Sequence, residues 1–405
     1  MQIHHGHILG LAAFIIPGTA VFLPLSVAPI SYIFAAIFLL MSGRRLLAVS
    51  AALKPLQVCT LLLGWIAISL IWTVDQSMAL EKFPRLVLGV FLGTLPIAAA
   101  ALLSDMEKSR FIKLLVPGYG WCLLLLVLGL MREYGDLLPF VAPHNGIPGK
   151  EDFRMNRGAT ILVLFLWPVL MLTWRRPLLS LFLCAAVLFP SVYSRCDAAI
   201  AGLAVSGMVF AVARVWPRAT LNMAMACCIL YILAAPFLHA KLTDPKHWGV
   251  TGKLMEAEQT WMPRSAYHRL LIWDFTAEKA LERPITGWGF YSSRVIPGGK
   301  EKLDSHEDAL PLHPHNGVLQ IWAELGGVGA LLLVLLCLSI RRAMTRIRSL
   351  PECAIGISMF MCAFVIICVS YGIWQSWWIA ALLLVSAFFV GAKQEAPQSA
   401  GARDG

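Results

Sequence analysis

The stretch PHNGVLQIWAELGGVGALLLVLLCLSI, residues 314–340, decides how this chain folds. It opens on a polar cluster and continues as a mainly apolar block, and roughly 20 such residues cross a bilayer as one helix. Comparable blocks recur along all 405 residues, of which 59% are hydrophobic and 14% charged. A soluble domain carries roughly 25% charged residues. Inside lipid the backbone must satisfy its own hydrogen bonds, which leaves helices and closed barrels as spanning structures. These blocks are too long and too continuous for barrel strands, so the expected fold is all-α and polytopic. About twelve spans are expected, near 8–24, 26–42, 55–73, 84–103, 111–131, 158–173, 177–193, 196–216, 219–239, 314–340, 352–371 and 374–391.

Lys and Arg alternate between the connections. Arg44, Arg45, Lys54, Lys108, Arg110, Lys113, Arg175, Arg176, Arg214, Arg218, Arg341, Arg342, Arg346 and Arg348 fall in one set of short loops. Only Lys82, Arg85 and Arg195 fall in the short loops of the other set. Cytoplasmic loops are the basic ones, so both termini are expected in the cytoplasm of a bacterial inner-membrane protein. The net charge of +10 is largely explained in this way, and no nucleic-acid partner is expected. The chain then divides into spans one to nine (1–239), a large periplasmic loop (240–313), three last spans (314–392) and a polar tail (393–405) read as disordered. A second periplasmic segment runs over 132–157. The first apolar block follows His4, His5 and His7, with no Lys or Arg ahead of it, and reads as a retained helix rather than a signal peptide.

All ten cysteines fall in or at the edge of expected spans and none in the large loop. Neither a disulfide framework nor a zinc site is expected. Within the loop, Arg264 to Glu282 reads as a helix, with Leu270, Trp273, Ala277 and Leu281 at three- and four-residue spacing. Pro284 and Gly287-Trp288-Gly289 end it. Trp248, Trp261 and Trp273 suit headgroup level, so a helix lying on the membrane is one reading and a cap over a site is the other.

Three features carry chemistry. His313-Pro314-His315-Asn316 stands where the loop re-enters the membrane, followed by Gly326 and Gly329. A histidine at the water edge suits proton transfer. Pro314 is expected to begin the next helix, and the two glycines to admit another helix closely. Ser194-Arg195 lies between two spans, where Arg195 either pairs with Asp197 or binds a phosphate through paired hydrogen bonds. Arg269, four residues before Trp273, is the third feature. Arg264, Arg85, Arg154 and Arg157 are further periplasmic cations. His144-Asn145 reads as loop, and Asp304, Glu307 and Asp308 as solvated acids.

Taken together, these motifs resemble the O-antigen ligase family. The carriers are Ser194-Arg195 between middle spans, Arg269-x-x-x-Trp273, Pro284-x-x-Gly287-x-Gly289, and His315-Asn316 with Gly326-x-x-Gly329 after it. The resemblance implies a membrane-embedded, inverting glycosyltransferase that needs no metal or other cofactor. The implied donor is a glycan on undecaprenyl diphosphate, and the implied acceptor is lipid A–core or another glycan at the periplasmic face, with membrane lipids as surroundings. Arg195 and Arg269 would hold the diphosphate and His315 would take the acceptor's proton. Asn316, His313, Arg264, Arg157 and Arg85 are expected to contact substrate. The superfamily includes polymerases that join repeat units, a second reading. A transporter for a lipid-linked substrate is a third, and it predicts charges in mid-span. Two positions depart from the family pattern: Asp197 adds negative charge near Arg195, and Gly317 stands where a bulkier residue is usual.

Overall fold

A computed structural model describes residues 4–134, 154–242, 264–302 and 308–393. Trp248, Trp261, His144-Asn145, Asp304, Glu307 and residues 394–405 lie outside the described residues. The described chain is built from helices. They are α1 (His5–Phe22), α2 (Val27–Ala52), α3 (Lys54–Ser69), α4 (Gln76–Ala101), α5 (Asp105–Tyr134), α6 (Arg154–Thr173), α7 (Pro177–Tyr193), α8 (Asp197–Ala213), α9 (Pro217–Leu242), α10 (Arg264–Glu282), α11 (Gly317–Met344), α12 (Leu350–Val369) and α13 (Ser376–Ala392).

Each expected span carries a helix. Eight of them, α1, α2, α4, α5, α6, α9, α11 and α12, are long and apolar enough to cross a membrane. The other four, α3, α7, α8 and α13, are apolar but of 16 or 17 residues. At about 1.5 Å per residue they fall short of the roughly 30 Å hydrocarbon core. The loop helix α10 has the bounds expected from its periodicity.

Two packed bodies share α12. One gathers α1, α2, α4–α7 and α13 around α6, which is 83% buried over its apolar span against 33% for α2 and α9. Small residues allow these contacts: a Cβ on Gly118 of α5 would come within 2.8 Å of the Phe14 Cα of α1. Such close backbone approach substitutes for the hydrophobic drive that lipid cannot supply. The second body joins α9, α10 and α11. There α10 buries Ile272, Thr276, Ala277 and Ala280, so its inner stripe is rotated from the one the sequence suggested, with Leu270 and Leu281 at its margin. The functional segments lie where these bodies meet.

The feature that shapes the site is a break in α11. Gly326 has φ +65 and ψ −163, a conformation open essentially to glycine alone. The break frees carbonyls and N–H groups that must be satisfied elsewhere. The Pro284–Gly289 segment satisfies most of them. Trp288 N donates to Ala323 O (2.8 Å), Gly289 N to Glu324 O (2.8 Å), Gly327 N to Pro284 O (2.7 Å) and Val328 N to Ile285 O (3.3 Å). Trp65 Nε1 of α3 donates to Leu325 O at 3.0 Å. The two glycine motifs of the sequence are thus halves of one joint. Gly326 is needed for the backbone of Ile285–Gly287, not for a neighbouring helix as the spacing suggested.

Candidate active site

Only three non-glycine residues of the described chain have positive φ: Arg195 (+51), Tyr291 (+64) and His315 (+53). Two are the residues nominated from sequence for anion binding and proton transfer. Such conformations cost on the order of 1–3 kcal/mol and persist where the surroundings impose them.

The turn at Arg195 is set by how α7 ends. Arg195 N donates to Val192 O at 3.0 Å and Cys196 N to Ser191 O at 2.9 Å. This is the Schellman pattern, in which glycine usually fills the left-handed position. Here an arginine fills it, exposed. Asp197 opens α8, where a carboxylate matches the helix dipole.

The turn at His315 is set by how α11 begins. Asn316 is the N-cap: its Oδ1 accepts from Val318 N and Leu319 N at 3.1 Å each, and its Nδ2 donates to the Tyr231 hydroxyl at 2.6 Å. Helix α11 therefore starts at Gly317 and not at Pro314, because the Asn316 side chain caps it. Pro314 serves otherwise, its carbonyl accepting from Trp273 Nε1 of α10 at 2.9 Å. The Arg-x-x-x-Trp spacing is thereby explained. One turn before the tryptophan that anchors the histidine segment, Arg269 falls within electrostatic reach of both the His315 imidazole and the Cys196 thiol.

Electrostatics set the protonation of the pair. Burial lowers His315 to about 4, assisted by the Arg269 guanidinium, while a backbone hydrogen bond with Ser370 opposes the shift. His313 is lowered to about 3, by burial first, then by the charges of His315, Arg294 and Arg157. Both imidazoles are neutral at physiological pH. His315 N donates to His313 Nδ1 at 3.2 Å, and the ring centroids are 4.3 Å apart.

The remaining nominated residues divide. Arg157 lies over the Trp377 ring at 5.7 Å and acts on His313. Arg85 stands apart on α4, 67% exposed and paired with Glu81 at 3.0 Å. The side chains of Arg264 and Arg154, at the starts of α10 and α6, lie outside the described residues.

One group escaped the sequence reading. Glu324, fully buried, accepts four hydrogen bonds: Tyr291 N (2.7 Å), Trp374 Nε1 (2.7 Å), Ser293 Oγ (2.5 Å) and Gln320 Nε2 (2.9 Å). Gln320 Oε1 in turn accepts from Ile373 N at 2.9 Å. This hub ties α11 to the segments around residues 291–293 and 370–375, and the latter packs on His313 through Gly372. A lone acid in an apolar helix was the available signal.

The O-antigen ligase family model matches residues 181–334, which run from α7 to α11. Three Rickettsia proteins that carry the provisional name polysaccharide ligase are similar over most of their length. The Rickettsia prowazekii protein is 29% identical over 323 residues, 78% of this chain and 75% of that one. The Rickettsia typhi protein is 31% identical over 253 residues, 61% and 59%. The Rickettsia bellii protein is 26% identical over 328 residues, 80% and 76%. The family match takes in the strained turns at Arg195 and His315, the arginine between them and the jointed helix, and the chain is a multi-pass membrane protein similar to the O-antigen ligase family over this stretch.

Proposed function

We propose that this enzyme moves a glycan from undecaprenyl diphosphate to the lipid A–core acceptor on the periplasmic face of the bacterial inner membrane, both termini being cytoplasmic. The observation that carries the reading is Arg269, whose charge reaches both the Arg195–Cys196 turn and a neutral His315. An acceptor hydroxyl oxygen attacks the anomeric carbon of the donor sugar. The new glycosidic bond forms as the bond to the phosphate oxygen breaks, with inversion. His315 takes the hydroxyl proton and the lipid diphosphate leaves as an anion. Arg195 and Arg269 stabilise that anion, a contribution of roughly 3–4 kcal/mol for a well-placed donor. Engaging one imidazole nitrogen with the Ser370 backbone leaves the second as proton acceptor.

The low pKa of His315 gives donor binding a second role. The diphosphate neutralises the Arg269 charge that depresses the imidazole, so the base strengthens once the donor is seated. His313 orients His315 through its backbone N–H, and Arg157 extends the cationic surface. Asn316, engaged as a helix cap, positions His315 and does not itself touch substrate. Arg85 falls outside the proposed site. Glu324 is a charge within a span, as a transporter would require, but four protein donors hold it in place.

Purified enzyme with lipid-linked glycan and lipid A–core tests the reading. His315→Ala is expected to abolish transfer, and undiminished transfer sinks the assignment. Gene deletion separates ligase from polymerase. A ligase mutant keeps long polymer on the carrier lipid, whereas single-unit products would establish the polymerase instead.

A further inference from the structure

Beside the proposed catalytic pair lies a cavity to which the proposed function assigns no group of either substrate. Glu324 floors it, and Tyr291, Arg294, His313, Trp374 and Gln375 wall it. Its open space is about 340 Å³, mouth included. Much of that space is open to solvent and about 50 Å³ lies within, room for an oxyanion and the edge of one sugar ring but not for a chain.

The hydrogen-bonding groups around it are one-sided. Both Glu324 oxygens and Trp374 Nε1 are engaged in the hub. Gln375 Oε1 accepts from Trp377 Nε1 at 2.7 Å, which leaves the amide N–H groups open. His313 Nδ1 accepts from His315 N, so the neutral ring carries its proton on Nε2, another donor. Arg294 is exposed, rests over the Tyr291 ring at 5.4 Å, and pairs with no carboxylate among the described residues. The open groups are therefore donors, one of them a guanidinium, next to an aromatic face. A ligand that fits is a ring with hydroxyls and a negative oxygen.

We propose that this cavity seats the terminal sugar of the acceptor, and that this sugar carries an oxyanion, phosphate or carboxylate, held by Arg294. The proposal rests on the ligase reading and deepens it. The nearby cations fall on two sides: the charge of Arg269 acts on His315, and those of Arg294 and Arg157 on His313. With the diphosphate assigned to Arg195 and Arg269, the Arg294 cavity is the acceptor's side, one imidazole away from the base.

The test uses the full-length chain in nanodiscs and has two arms. In the first, saturation-transfer NMR follows glucose 6-phosphate, glucuronic acid and glucose. The acidic sugars are expected to bind about tenfold more tightly than glucose. Arg294→Ala should erase that preference and His315→Ala should keep it. In the second arm, turnover is measured with native and dephosphorylated acceptor lipid, and with neutral and acidic donor glycans. Arg294→Ala should raise KM about tenfold for the acidic acceptor and leave the donor KM unmoved. Equal binding of glucose and the acidic sugars, or a rise confined to acidic donors, overturns the proposal. If acidic sugars bind through Arg294 while the wild type moves no glycan, the ligase reading fails and the cavity stands. If the wild type moves glycan and Arg294→Ala leaves every KM unchanged, the cavity assignment fails and the ligase reading stands.

Discussion

Glu324 and His315 belong to the same end of α11, yet they are treated in opposite ways. Every lone pair of the Glu324 carboxyl is met by a protein donor. His315 is held neutral in a strained backbone within reach of the Arg269 charge, with one ring nitrogen left to accept a proton. Arg269 has no hydrogen bond or ion pair with a described residue that would neutralise it. Satisfied groups hold a structure together; groups left electrostatically incomplete wait for a substrate to complete them. The contrast sorts the polar residues of this region into frame and chemistry without reference to any relative.

Each variant below asks whether that sorting holds. Arg269→Ala should lower the transfer rate on the order of 10²–10³-fold, with the melting temperature unchanged, as followed by single-turnover assay and thermal unfolding. A drop in stability of similar weight would move Arg269 into the frame. Glu324→Ala should do the reverse. It strands four buried donors, each costing about 1–3 kcal/mol when unrelieved, so stability falls by at least about 3 kcal/mol while activity per folded molecule stays within severalfold. Arg195→Gly separates strain from charge at a single residue. Glycine relieves the left-handed turn by about 1 kcal/mol, so the protein should melt higher, while the donor KM rises because the guanidinium is gone.

The smallest effect is in pH dependence. His315 is lowered from 6.5 to about 4, so its neutral, proton-accepting form persists down to that region. The acid limb of kcat/KM, which reports the free enzyme, should therefore fall near pH 4 and not near 6.5. The limb of kcat should sit higher, because bound diphosphate offsets Arg269. Coincident limbs would remove that coupling. Stability carries the same sign. Between pH 6.5 and the lowered values of His313 and His315 the unfolded chain binds more protons, so stability declines as pH falls through that window.

What could be read in advance follows from the range of the forces involved. Helix positions are local, written in runs of apolar residues, and α10 was legible to its ends from Arg264 to Glu282. The catalytic candidates were legible as residue types at unusual places, such as Arg195 alone in a short connection. The start of α11 was misjudged because the proline rule is local, while the Asn316 cap is reinforced by Tyr231, 85 residues away. The inner face of α10 was rotated from expectation because its neighbours α9 and α11 decide it. Glu324 was passed over because its partners Tyr291, Ser293 and Trp374 lie 31 to 50 residues away. Pairings of that kind appear only once the chain has folded.

The joint at Gly326 has a mechanical consequence. A continuous rod passes every change of bilayer thickness along its length, since mismatch is met by tilting. Here the Pro284–Gly289 clasp bonds both sides of the break, Ala323 and Glu324 before it and Gly327 and Val328 after it, so a tilt of the lower rod is met at the joint before it reaches the capped segment. The imidazole is thereby insulated from the lipid that surrounds the enzyme. Reaction rates in vesicles of graded acyl-chain length should stay level, and a steep dependence on chain length would reveal that the hinge leaks.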